Sequence, residues 1–234
     1  MSRRPSRSLR FTRPLLGFII APTAVLAVFE AVRALLSLAS RPKIAVPFLV
    51  GAAVYCALFC LGLLRLRGVY VLAHELTHAW AAWLGGGKVL RMVVRSDSGR
   101  VDLSRSSVFI ALAPYWIPLP VLAVVVGYRA LLWAGAPPYG REIFLALTGA
   151  GLAFHVLHTV ESLWTAHQDD LDEAGVVLSV ALIALLNGLI LVLALGCLFP
   201  RGVALGSHLL EIGRGTAGFW GGAAELVLSA TRAK

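Results

Sequence analysis

With 59% hydrophobic and 14% charged residues among 234, and a mean hydropathy of +0.82, the chain is too apolar for a soluble domain, in which about a quarter of residues are charged. Its longest polar stretch, about twenty residues over 86–106, excludes a large soluble domain, and the short alternating segments of a membrane barrel are missing. The net charge of +9 gathers at the N-terminus and in the loop after Gly85; in such a chain it points to topology and lipid headgroups, and no nucleic-acid partner is expected.

Arg3, Arg4, Arg7, Arg10 and Arg13, with no acid among them, predict a disordered cytoplasmic tail over residues 1–13. Residues 14–40 form an apolar run too long for a cleaved leader, and read as a signal anchor. Within it Glu30 and Arg33, three apart, can neutralise each other. A second span is expected over 44–64, after the break at Arg41-Pro42-Lys43. Cys56, Cys60 and Cys197 all lie in apolar segments and read as small hydrophobes.

The next run, Val69 to Leu84, contains His74-Glu75-Leu76-Thr77-His78. On a helix, residues four apart share a face, so both imidazoles can point at one metal ion, with Glu75 placed to take a proton from a water there. The same face carries Tyr70, Thr77, Ala81 and Gly85, small or polar; the opposite face carries Leu72, Leu76, Trp80, Trp83 and Leu84. Ionisable groups in a membrane helix are expensive, so they face the protein interior and mark a working site.

Gly85-Gly86-Gly87 ends this helix. Alternating apolar and polar residues on either side of Ser96-Asp97-Ser98-Gly99 then predict a small β-hairpin over 88–104. Its excess of basic charge favours the cytoplasmic side, whereas strict alternation of spans puts it outside. Either the His74 helix does not cross fully, or an earlier run is not a span. Residues 107–133 form a span interrupted by Pro114, Pro118 and Pro120, and prolines free backbone carbonyls and bend helices. A helix over 141–166 carries His155 and His158, the segment 168–175 is acidic, and 176–199 is a last span. Beyond it, a weakly amphipathic stretch near 219–230 suggests an interfacial tail. The expected fold is an all-α polytopic bundle of about 5–6 transmembrane helices with a small β-hairpin. It comprises a basic tail (1–13), a membrane domain (14–199) and a C-terminal tail (200–234).

A catalytic zinc site takes three protein ligands and keeps one position open. His74 and His78 supply two. Candidates for the third are His155, His158, Glu161 and the carboxylates of 169–173. Asp170 is preferred on chemistry, because a carboxylate beside two neutral imidazoles is a common catalytic zinc set. Asp172 is the second choice, and His155 and His158 suit a supporting role or alternative ligation. Water could enter along the polar helix faces or the Pro114–Pro120 break.

His74-Glu75-Leu76-Thr77-His78-Ala79, the glycines and hairpin behind it, and Ala113-Pro114-Tyr115 resemble the site-2-protease family of intramembrane zinc metalloproteases. Gln168-Asp169-Asp170-Leu171 is similar to a segment of its small bacterial branch. The Asn-Pro and Leu-Asp-Gly motifs of the main family are absent. The resemblance, over about residues 46–199, implies one zinc ion held by the two histidines and a later Asp, with Glu75 as general base. It implies hydrolysis of a membrane-embedded or membrane-proximal peptide, presented along a β-edge such as that of the hairpin. Such a protein would be integral to the bacterial plasma membrane. A non-catalytic homologue that binds a partner, or a metal or proton transporter, are the competing readings; oligomeric state is not legible.

Overall fold

The computed structural model describes residues 7–135, 140–165 and 169–232. In chain order they form α1 (Arg7–Ala39), α2 (Pro42–Cys60), α3 (Arg67–Leu84), β1 (Val89–Val94), β2 (Gly99–Leu103), α4 (Val108–Trp116), α5 (Leu119–Trp133), α6 (Arg141–Thr165), α7 (Asp169–Ala174), α8 (Val176–Leu198) and α9 (Leu205–Arg232). The architecture is all-α with one small hairpin. Four helices, α1, α2, α6 and α8, are long and apolar enough to cross a membrane; α4 and α5, bent by 68° at their junction, make a fifth if counted as one broken span. The bend falls at Ile117-Pro118, where the chain turns extended and Pro118 supplies no N–H. The α3 helix is not among the candidate spans, because Arg67, His74, Glu75 and His78 dilute its apolar content.

The chain divides into two compact units, one of residues 1–42 with 175–234, the other of 43–174. In the first, α1 and α8 pack closely. Ala24, Ala27, Ala31 and Ala34, spaced along one face of α1, are buried, and Gly188 of α8 leaves no space for a side chain against the Ala27 backbone. Small residues permit such close approach where lipid, as apolar as leucine, offers no hydrophobic drive. The amphipathic α9 joins this unit through buried Glu30, whose carboxylate accepts from Arg33 at 2.7 Å and from His208 at 2.6 Å. The C-terminal stretch is thus one helix held by a buried ion pair, beyond the weak amphipathicity expected from 219–230. Residues 7–13, expected to be disordered, form the start of α1; arginine is a good helix former and α1 elongates through it.

In the second unit, α2 and α6 approach so closely that Gly51 and Gly149 lie against backbone of the opposite helix. The hairpin pairs antiparallel, with Met92 opposite Val101 and Val93 opposite Arg100, and a register shift between Val89 and Arg91. Alternation gives it two faces. Gly99, Val101 and Leu103 share the face toward α3, where Leu103 packs on the cluster of Ala81, Ala82, Ile110 and Ala113. That cluster fixes α3 against α4. The bulky side of α3 stays exposed, with Trp83 at 60% and Leu84 at 77%, as a lipid-facing surface should be.

Candidate metal centre

One helical turn separates His74 from His78, and their rings meet edge to face with centroids 4.8 Å apart. Both point into the second unit. The orientation of His78 has a local cause. Its Nδ1–H donates to the Ile110 carbonyl at 2.9 Å. In an unbroken helix that carbonyl would accept from the N–H four residues on, but residue 114 is proline and has none. The proline therefore leaves an acceptor open inside α4, and His78 fills it. A backbone carbonyl on one ring nitrogen sets the tautomer and leaves Nε2 to ligate.

The third group arrives from the six-residue α7, which turns Asp170 inward and leaves Asp172 exposed. Asp170 Oδ2 lies 3.5 Å from His74 Nε2 and 3.3 Å from His78 Nε2, and the three ligand atoms fall within 4.8 Å of one another. Around a tetrahedral zinc with bonds of about 2.0–2.1 Å, neighbouring ligand atoms sit about 3.3 Å apart. The two separations to Asp170 match that spacing, and two imidazole nitrogens with one carboxylate oxygen are a donor set that suits zinc and leaves a coordination position open. The Tyr115 hydroxyl, fully buried in α4, donates to the same Oδ2 at 3.2 Å. Burial opposes ionisation of Asp170, but hydrogen bonds from His74 and His78 and their charge outweigh it and hold the carboxyl well below the usual range.

Glu75 is buried on the neighbouring side of α3, against the hairpin turn. A Cβ on Gly99 would stand 2.6 Å from Glu75 Cγ and Oε1, so only glycine lets the turn close over this carboxylate. Burial raises the pKa of Glu75, with the Asp170 charge adding to the rise and His78 opposing it. A cleft of about 410 Å³ opens beside it, lined by Tyr70, His74, Glu75, Ser98, His158 and Glu161 among others. Its polar lining comes from α3, the hairpin turn and α6, with no contribution from Pro114–Pro120, so of the two expected water routes the helix faces supply this one.

The other candidates lie elsewhere. Among the described residues, His155, His158, Glu161 and Asp172 are outside the group able to hold one ion with His74 and His78. His158 stacks on Tyr70, its Nδ1 lies 3.3 Å from Glu161, and Tyr55 hydroxyl meets its Nε2 at 3.1 Å. Glu161 in turn accepts from Arg67 at 2.8 Å. The side chains of Gln168 and Asp169, part of the segment similar to the bacterial branch, lie outside the described ones. Three contributors were not singled out from sequence: the Ile110 carbonyl, the Tyr115 hydroxyl and Gly99. Pro114 four residues after Ile110 was the available signal for the first, and the Asp-Ser-Gly turn for the last.

The family model described as Peptidase M50B-like matches residues 45–119, which carry α3, the hairpin and α4, though not Asp170. No curated protein and no solved structure matches the chain significantly. The matched segment, its apolar helices and its histidine pair together support an integral membrane metallopeptidase, and residues 45–119 are similar to that peptidase family.

Proposed function

We propose that the chain is an intramembrane zinc metalloendopeptidase that hydrolyses peptide bonds of membrane-embedded or membrane-proximal proteins. His74, His78 and Asp170 would hold one zinc ion, and the observation that carries this is the convergence of their ligand atoms within 4.8 Å of one another, with Asp170 at tetrahedral spacing from both imidazoles. Bound there, zinc supplies Lewis acidity toward a carbonyl and lowers the pKa of water. Glu75, its pKa raised by burial, takes the proton from the attacking water and returns it to the leaving amine. Ile110 and Tyr115 hold the ligands in place. The cleft between α3, the hairpin turn and α6 admits water and an extended peptide. The unpaired edges of the two-stranded hairpin can take that peptide as an added strand, through main-chain hydrogen bonds. The basic N-terminal segment favours a cytoplasmic N-terminus in a bacterial plasma membrane.

The test is a pair of substitutions read on zinc content and on cleavage of a membrane peptide. Glu75→Gln keeps zinc and loses cleavage; His74→Ala loses both. Cleavage that survives Glu75→Gln removes the proposed base, and with it the mechanism.

A further inference from the structure

The face of the hairpin turned away from α3 is built from charge. Arg91 and Val93 alternate along β1, Arg95 follows just beyond its end, and Asp102 and Arg100 stand opposite Arg91 and Val93 in β2. Together with the turn they enclose a second concavity of about 390 Å³. Its charged lining is three arginines against one aspartate. Asp102 is already held by Arg100 at 2.8 Å, whereas Arg91 and Arg95 form no ion pair among the described residues. A hairpin that only had to pack on α3 would not need this. Its solvent face could carry mixed charges, and like charges placed close together are destabilising.

The concavity also adjoins the cleft at the metal centre across the hairpin tip, since Ser98 and Gly99 line both. An extended chain lying past His74 and Glu75 has to leave the cleft somewhere, and over the hairpin tip it enters the arginine face. We propose that this face binds acidic side chains flanking the scissile bond, so that the preferred substrates are peptides with Asp or Glu on that side. The inference rests on the peptidase reading of the neighbouring site. Adjacency to that site favours a peptide over anionic lipid headgroups, which have no reason to lie beside it. Each exposed ion pair is worth about a twofold gain in affinity, so Arg91 and Arg95 together give about fourfold, weakened by salt.

The experiment uses full-length Glu75→Gln protein in phosphatidylcholine bilayers, which exclude anionic lipid. Binding of a labelled peptide with flanking Asp and Glu is compared, by fluorescence anisotropy, with that of its Asn/Gln counterpart. The acidic peptide is expected to bind about fourfold tighter at low salt. Arg91→Gln/Arg95→Gln/Arg100→Gln should abolish that preference while changing binding of the neutral peptide less than about twofold. The charge-reversed Arg91→Glu/Arg95→Glu protein should prefer a basic peptide, which misfolding would not produce. Equal binding of both peptides by the parent, or a preference that survives the triple substitution, overturns the proposal. So does a triple variant that loses only its affinity for phosphatidylglycerol vesicles, which would make the face a headgroup surface. Cleavage by the zinc-loaded wild type separates the two readings. Acidic preference without cleavage sinks the hydrolase and leaves the docking face; cleavage without preference does the reverse.

Discussion

His78 donates its Nδ1–H to the Ile110 carbonyl, an acceptor left without its helical partner because residue 114 is proline. A residue that would count against a helix thus orients a ligand on the facing one. Pro114→Ala should restore an N–H that competes for the carbonyl and loosens the ring. Loss of such a partner costs about 10-fold or more in metal affinity. Chelator competition on the purified protein should show zinc affinity falling by about that factor with the helix content unchanged; unchanged affinity would mean the carbonyl serves both donors.

Tyr115 plays the matching part for Asp170. Tyr115→Phe removes the hydroxyl that holds Oδ2 and leaves the ring against His74. Zinc affinity should fall about 10-fold, as for other outer partners of a ligating carboxylate. A fall in cleavage rate with zinc affinity intact would place the hydroxyl in the reaction instead.

Gly99 allows the hairpin turn to lie on Glu75. Gly99→Val should push the carboxylate aside, leave zinc bound and lower kcat about 100-fold, the scale expected when a general base is misplaced. Single-turnover kinetics and zinc content of the same preparation check this. Unimpaired turnover would show that the turn yields without moving Glu75.

The depressed pKa of Asp170 has a consequence in acid. A carboxyl held below its ordinary value of about 3.9 remains an anionic ligand as pH falls to about 4, and takes up a proton only below that. Burial holds the His74 imidazole below its ordinary pKa, whereas for His78 the Asp170 carboxylate outweighs burial and raises it, so the two take up protons in succession as pH falls. Down to about pH 4 the logarithm of the apparent zinc dissociation constant should therefore rise with a slope that grows toward, and does not exceed, about two protons, one per histidine. A slope approaching three above pH 4 would mean that Asp170 titrates like a free carboxylate.

How much of this could be read from residues alone follows from the range of the interactions. The α3 helix and its inward face were legible because the His74–His78 spacing is a helical repeat, and the hairpin because alternation flanks an Asp-Ser-Gly turn. Local patterns of that kind say nothing about which distant acid approaches. Asp170 meets the histidines from far along the chain, on a helix of six residues, too short to show periodicity. His158, on a polar helix face, was the alternative to the preferred Asp170; what separates it is its engagement with Tyr55, Tyr70 and Glu161, a tertiary fact. The same holds for α9. Glu30 and Arg33 announce their pairing by spacing, whereas His208, their partner in space, is invisible until the chain folds.

The most direct measurement is the zinc content of the purified full-length protein, by elemental analysis, in the wild type and in Asp170→Ala. One zinc per chain is expected in the wild type, with a drop to a small fraction in the variant and no drop in Asp172→Asn. A wild type without zinc, or an Asp170→Ala protein that keeps its full complement, would contradict a cation held between α3 and α7.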